Sequence, residues 1–288
     1  MNIFVSTTFL PDGRPLNEAL ERCSQQDIFS VEIGSNHCYQ ENYNYLNDYN
    51  FDYLMHNYFP IPLESFVLNI ASFDKNIRKR SIQHILSAID FCKTYNSHLY
   101  TFHPGFLTDP IGSNDSKINY DFMWDQTKLK DINYIKAKEL MYDALDKIVK
   151  YSQKNKVKIA IETEGSLAKK DHLLMQQPEE YVEFMTKFSN SDIGINLNIG
   201  HLNLASKAFN FSRSNFVSLV EKYIIALELS HNNRIEDQHL PLIKNEWYWS
   251  IINNPKFKDV YKILEFRNTE VSDIKKNIEY IKEVQNSV

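Results

Sequence analysis

Cysteine is scarce. The 288-residue chain has three, Cys23, Cys38 and Cys92, far apart and without a C-x-x-C pair. So odd and sparse a set argues against a disulfide framework and against a thiolate zinc site, and reads as reduced thiols packed in or near a core. Glycine is scarce too, at 7 residues. None forms the Gly-rich turn that a doubly wound sheet wants after its first strand; Thr7-Thr8-Phe9-Leu10-Pro11 stands there instead. No apolar run approaches the ~20 residues that span a bilayer, so no membrane partner is expected. A basic excess is missing as well. Lys plus Arg is 32 against 37 for Asp plus Glu, a net charge of −5, which disfavours nucleic acid as a partner. Met1 to Leu10 is apolar but has no basic segment and no small-residue cleavage site. It reads as a strand rather than a signal peptide, and the cytoplasm is the expected location. With no repeat, Pro-rich linker or low-complexity block, residues 1–288 are expected to form one domain.

What is present is a rhythm of short β-branched or aromatic runs alternating with amphipathic stretches. The expected strands are Asn2–Thr7, Phe29–Gly34, Phe51–His56, His98–His103, Lys158–Thr163, Ile193–Asn198, Ile224–His231 and Val260–Phe266. Helical spacing of apolar residues falls over Leu16–Ser24, Ile77–Cys92, Ile135–Tyr151, Pro178–Phe188, Ser214–Tyr223, Asn245–Ile252 and Val271–Val284. Pro178 suits a first helical turn, and Ser214 or Ser272 is a candidate cap. Eight strands alternating with helices predict parallel βαβ units. The economical closure is an α/β fold of one (β/α)8 TIM barrel, for which ~250 residues is typical. The stretch from Pro104 to Asn133 is too long for filler and would lie as a lid on the catalytic face.

In a barrel, catalytic residues sit at the C-terminal ends of strands. Those ends carry Glu32; His56; His103-Pro104-Gly105; Glu162 and Glu164; Asn196 and Asn198 running to His201; Glu228 and His231, followed by Arg234, Asp237 and His239; and Glu265 with Arg267. Histidines alternating with carboxylates on successive strands are what a divalent metal needs. Period two turns Glu162 and Glu164 one way, and likewise Glu265 and Arg267. Carboxylates from strands five and eight face each other across a small barrel. With a metal between them, one can remove a proton and the other return it, which suits a hydroxy-carbonyl sugar. Trp124, Trp247 and Trp249 could stack on a sugar ring, whereas Lys128, Lys130, Lys169 and Lys170 read as solvated surface.

The segments His56-Asn57-Tyr58, Leu68-Asn69-Ile70-Ala71-Ser72, Arg80-Ser81-Ile82 and His103-Pro104-Gly105 resemble the matching region of the type IV apurinic endonucleases. Those belong to the xylose isomerase-like TIM-barrel superfamily, with sugar isomerases and ketose 3-epimerases. The resemblance continues through Glu162, Gly200-His201, Asp237-Gln238-His239 and Glu265. It implies that His56, His103, Glu162, His201, Asp237, His239 and Glu265 stand where the endonucleases hold metal ligands. Two positions depart: Asn198 takes the place of an Asp, and Glu228 that of a His. For a one-ion relative, the resemblance implies a metal held by Glu162, Glu228 or His231, and Glu265, with Asn198 as a weaker ligand.

The favoured reading is a sugar or sugar phosphate isomerase or epimerase that depends on a divalent ion (Mn, Mg, Zn or Co). Glu162 and Glu265 would be its acid/base pair, and His56, His103, His201, Arg234 and Arg267 would contact substrate. The alternatives are a metal phosphodiesterase like the apurinic endonucleases, and a barrel that has lost catalysis and only binds a sugar. A homo-oligomer is left open.

Overall fold

The computed structural model describes residues 2–113, 122–123, 134–167 and 173–286. Trp124, Lys128, Lys130, Lys169, Lys170 and most of the expected lid lie outside them. Eight parallel strands close a barrel: β1 (Ile3–Ser6), β2 (Ser30–Ile33), β3 (Asp52–His56), β4 (Leu99–Phe102), β5 (Lys158–Glu162), β6 (Ile193–Asn198), β7 (Ile224–Leu229) and β8 (Tyr261–Leu264). Each pairs with its neighbours in sequence, and β8 closes on β1. Every expected strand is present, β6 with the expected bounds and the others trimmed at one or both ends. Among the described residues, no helix is long and apolar enough to cross a membrane.

The helices are α1 (Leu16–Ser24), α2 (Lys75–Thr94), α3 (Tyr134–Asn155), α4 (Pro178–Lys187), α5 (Ile199–Ala208), α6 (Arg213–Val220), α7 (Trp249–Ile252) and α8 (Val271–Asn286). Between β2 and β3 a 3-10 turn, Asn44–Asp48, stands where a helix would complete the repeat. The Asp74 side chain caps α2 by accepting from Asn76 N and Ile77 N. Pro178 opens α4, and Glu180 Oε2 accepts the Gln177 N–H at 2.8 Å. Ser212, not Ser214, caps α6. The helix expected from Asn245 is delayed to Trp249, because Asn245 has φ +64° and sits in a turn. Cys23 and Cys92 are buried free thiols, and Cys38 is half-buried.

α5 was not expected at all. It follows β6 without a loop, and Asn198 ends the strand and caps the helix through its side chain. Of its ten residues all but Lys207 are buried. A helix buried all round has no polar face, hence no 3.6-residue pattern to read.

The barrel interior follows from period two. Phe4, Leu54, Leu99, Ala160, Ala226 and Ile263 form a separate apolar cluster. Two residues further along the same strands stand Ser6, His56, Thr101, Glu162, Glu228 and Glu265. The apolar layer is thus a plug, and the polar layer is the floor of whatever lies above it. Val5, Val31, Ile33, Ile161 and Leu227, which alternate with these, pack in the main core cluster.

Candidate metal centre

Glu162, at the end of β5, is the hub of the polar layer. Its Oε2 lies 3.7 Å from both His56 Nε2 and His103 Nε2, and its Oε1 3.1 Å from His201 Nδ1. Each imidazole is held by its other nitrogen. His56 Nδ1 is hydrogen-bonded to Thr101 Oγ1 at 2.8 Å, and His103 Nδ1 donates to Glu164 Oε1 at 2.8 Å. That is how partners of a metal-binding histidine fix its tautomer and aim its opposite nitrogen.

A second group lies beside the first. His201 Nε2 and His239 Nε2 approach Asp237 Oδ2 at 3.2 and 2.9 Å. His201 Nδ1 donates to the Thr163 carbonyl at 2.8 Å, which orients its ring. The close approach of this helix turn depends on Gly165, where a Cβ would stand 1.9 Å from the His201 carbonyl oxygen. His201 was expected at a strand end; it belongs to the first turn of α5, whose start carries it into the site.

Two ligand groups result: His56, His103 and Glu162, and His201, Asp237 and His239. Within each, the candidate ligand atoms all lie within 4.8 Å of one another. Among the described residues, buried Glu162 Oε2 and Asp237 Oδ1 have no hydrogen-bond partner. Ligand atoms at ~2.0–2.2 Å from one tetrahedral ion stand roughly 3.3–3.6 Å apart, close to the 3.7 Å spacing around Glu162 Oε2. The residues present therefore fit divalent ions, and two imidazoles per group suit zinc, cobalt or manganese better than magnesium.

The expected ligands Asn198 and Glu228 sit differently. The His201 backbone N–H donates to Asn198 Oδ1 at 3.1 Å, so that oxygen serves the helix cap. The amide nitrogen then faces the carboxylates, donating to Glu162 Oε1 at 3.0 Å and Glu228 Oε1 at 3.2 Å. Glu228 Oε2 accepts from Asn196 Nδ2 at 2.6 Å, and Glu228 is also hydrogen-bonded to Glu265. Amide hydrogens thus engage Asn198 Oδ1, Glu162 Oε1 and both Glu228 oxygens, which a one-ion site over Glu162, Asn198, Glu228 and Glu265 would draw on.

Charge follows the same division. Burial, then the charges of Glu162 and Glu265, push Glu228 well above the usual carboxylate range. Glu32, beneath the site, is raised by burial and then by Glu265. Burial acts against Glu162 too, but the nearby His103, His201 and His56 overturn it and bring it down to about 2. Glu265 is likewise held low, burial being outweighed chiefly by His239, whose Nδ1 stands 2.8 Å from Oε2. His103 and His239 reach about 9, because Glu162 with Glu164 and Asp237 with Glu265 outweigh burial. The site thus sets lowered carboxylates, Glu162 and Glu265, against raised imidazoles, His103 and His239, while burial lowers His56 and raises Glu228.

Above it opens a cavity of about 450 Å³, lined by His56, His103, Glu162, His201, Asp237, His239 and Glu265, with Arg267 also in its wall. Four expected residues are not in its wall: Asn198 and Glu228, engaged as described, and His231 and Arg234. β7 ends at Leu229, so the inward alternation stops. His231 pairs through its backbone with Leu240, and its ring turns to Tyr248, with Nδ1 3.4 Å from the hydroxyl. Arg234, in a left-handed turn at φ +65°, lines a different cavity. Residues that the strand-end reading left without a role include Thr101 and Asn196. Thr101 shares the inward alternation of Leu99, which was the available signal.

A family model for xylose isomerase-like TIM barrels matches residues 21–284. An uncharacterised protein of Methanocaldococcus jannaschii, MJ1311, is 22% identical over 283 residues, covering 96% of this chain and 87% of its own. The crystal structure of a D-tagatose 3-epimerase-like protein superposes with a TM-score of 0.70 at 19% identity, covering 100% of this chain and 99% of that one. The D-psicose 3-epimerase of Clostridium cellulolyticum H10, solved with D-tagatose, gives 0.67 at 13% identity, with 100% and 99% covered. At such identities the solved structures establish the fold, and the family match establishes the kinship: this chain belongs to the xylose isomerase-like TIM barrel family.

Proposed function

We propose that the protein is a metal-dependent isomerase or epimerase that moves a proton next to the carbonyl of a sugar. The observation that carries this reading is the pair Glu162 and Glu265. Glu162 ends β5 and Glu265 immediately follows β8, both held low, in the wall of one cavity. About 450 Å³ is ample for a monosaccharide. A divalent ion held by His56, His103 and Glu162, or by His201, Asp237 and His239, supplies Lewis acidity toward a substrate oxygen. Glu265, which belongs to neither ligand group, takes the proton from the carbon. Glu162 is the carboxylate on the opposite side and the candidate for returning it. Arg267 shares the cavity wall and can hold substrate oxygens. Epimerases among the structural relatives lend the reading support.

A second reading, hydrolysis of a phosphodiester, is favoured by one specific observation. The two ligand groups adjoin, since His201 touches both Glu162 and Asp237. Paired ions suit in-line displacement at phosphorus. One experiment separates the two. Metal-loaded protein is incubated in D2O with ketoses and ketose phosphates and followed by NMR, and in parallel with an oligonucleotide containing an abasic site. Deuterium entering the carbon beside the carbonyl supports the isomerase. Strand cleavage without deuterium incorporation moves the assignment to the phosphodiesterase.

A further inference from the structure

A second cavity, about 430 Å³, opens between α6, α7 and the loop that follows β7, and shares no lining residue with the first. Its wall holds Arg213 and Arg234, two of the chain's seven arginines. Arg213 Nη1 donates to Asn203 Oδ1 at 2.6 Å, and its guanidinium lies 4.0 Å from the Trp247 ring centroid. Asn203 is buried and donates to Asn232 Oδ1 at 2.9 Å. That same oxygen accepts the Arg234 backbone N–H at 3.1 Å, and Asn232 Nδ2 is anchored on the Gly200 carbonyl. Two buried amides therefore hold the Arg213 guanidinium and the Arg234 backbone.

Holding two guanidiniums together in an acidic protein costs Coulomb energy unless a counter-charge joins them. Just outside the wall, Glu246 attracts Arg213 and offsets part of that repulsion; the wall itself adds little. Among the described residues its one carboxylate is Glu221, already paired with Lys256 Nζ at 2.5 Å. The Ser214 and Ser218 hydroxyls lie in the same wall, beside the apolar Val217 and Ile251.

We propose that this cavity binds a phosphate group. Two guanidiniums and neighbouring hydroxyls match the several acceptor oxygens of a tetrahedral dianion. The volume exceeds that of the anion alone, and the apolar wall suits an organic remainder, so the shared chemistry is inorganic phosphate or a phosphate monoester. The site is independent of the reaction assigned to the metal centre.

The test uses Trp247, whose ring lies under Arg213, as the reporter. Intact protein is titrated with inorganic phosphate, with glucose 6-phosphate and with glucose, following tryptophan fluorescence. A saturable response to a phosphate but not to glucose is expected, and Trp247→Phe should remove it. Tighter binding of glucose 6-phosphate marks an organic phosphate as the occupant, and equal binding marks the free anion. Arg234→Gln, at an exposed side chain, should weaken the phosphate response about tenfold or more. Arg213→Lys keeps the charge but loses the planar fork and should also weaken it. No saturable response in the wild type, or an unchanged affinity in Arg234→Gln, overturns the proposal. A response that persists in Trp247→Phe places the anion elsewhere and overturns it too.

Discussion

Glu164 Oε1 accepts a hydrogen bond from His103 Nδ1 at 2.8 Å and so turns the opposite nitrogen of that ring toward Glu162. The glutamate belongs to neither ligand group, yet it fixes the tautomer and orientation of a residue that does. Removing such a partner typically costs ~10–100-fold in metal affinity. Glu164→Gln should therefore weaken zinc binding by that order while the far-UV circular dichroism stays as in the wild type. An unchanged affinity by calorimetric titration would show that His103 is not a ligand.

Asn198 gives a prediction of opposite character. Its amide nitrogen joins Glu162 and Glu228, and its oxygen caps α5. Asn198→Asp keeps the cap but replaces two donated hydrogens with a charge facing two carboxyls. An uncompensated buried charge costs about 3 kcal/mol or more. The metal-free variant should melt well below the wild type in chelator, and a divalent ion should recover much of the loss, since the new carboxylate can bind it. A melting temperature equal to that of the wild type in chelator would remove the bridge from the account.

The same residue shows where reading the sequence stops. Period two pairs Glu162 with Glu164 and Glu265 with Arg267, and in the structure Glu162, Glu228 and Glu265 each follow an apolar plug residue by two. The direction of the Asn198 amide is not in that pattern. It is set by α5, and α5 left no trace because nine of its ten residues are buried. His231 and Arg234 lie beyond the end of β7, where no period constrains a side chain; a bridge to Leu240 and a left-handed turn decide their places instead. Asp237 and His239 lie on that same loop. Their place beside His201 was available only through the family resemblance.

The ionisation pattern predicts a pH response in metal-free protein. His103 and His239 titrate near 9 when folded, above the unfolded value of ~6.5. Raised pKa values mean that the folded state holds protons the unfolded state has released. The stabilisation is complete below about 6.5 and is lost as pH rises through about 9. Thermal stability in chelator should fall across that window. Zinc affinity should rise over the same range, because an ion must displace those protons. Stability independent of pH between 6.5 and 9 would contradict the assigned pairing.

Glu265 bears the chemical prediction. It is held low by His239 and Glu228 and is a member of neither ligand group, though its Oε2 touches His239 Nδ1 at 2.8 Å, so it can act as a base without itself leaving an ion. Glu265→Gln preserves shape and removes the base. Solvent deuterium should then cease to enter the sugar even at saturating zinc, a loss of ~10²–10⁴-fold, while zinc affinity falls only by the ~10–100-fold expected for the partner that holds His239 Nδ1. Arg267 occupies the cavity wall and bonds through its backbone N–H to the His239 carbonyl at 3.0 Å. Its side chain can hold substrate oxygens without meeting the transferred proton. Arg267→Ala should accordingly raise KM and leave kcat nearly as it was. Zinc binding abolished in Glu265→Gln, well beyond ~100-fold, would make Glu265 a ligand instead of a base. Full deuterium incorporation in Glu265→Gln would take the proton transfer away from this residue, and the assignment of Glu162 as its opposite partner would fall with it.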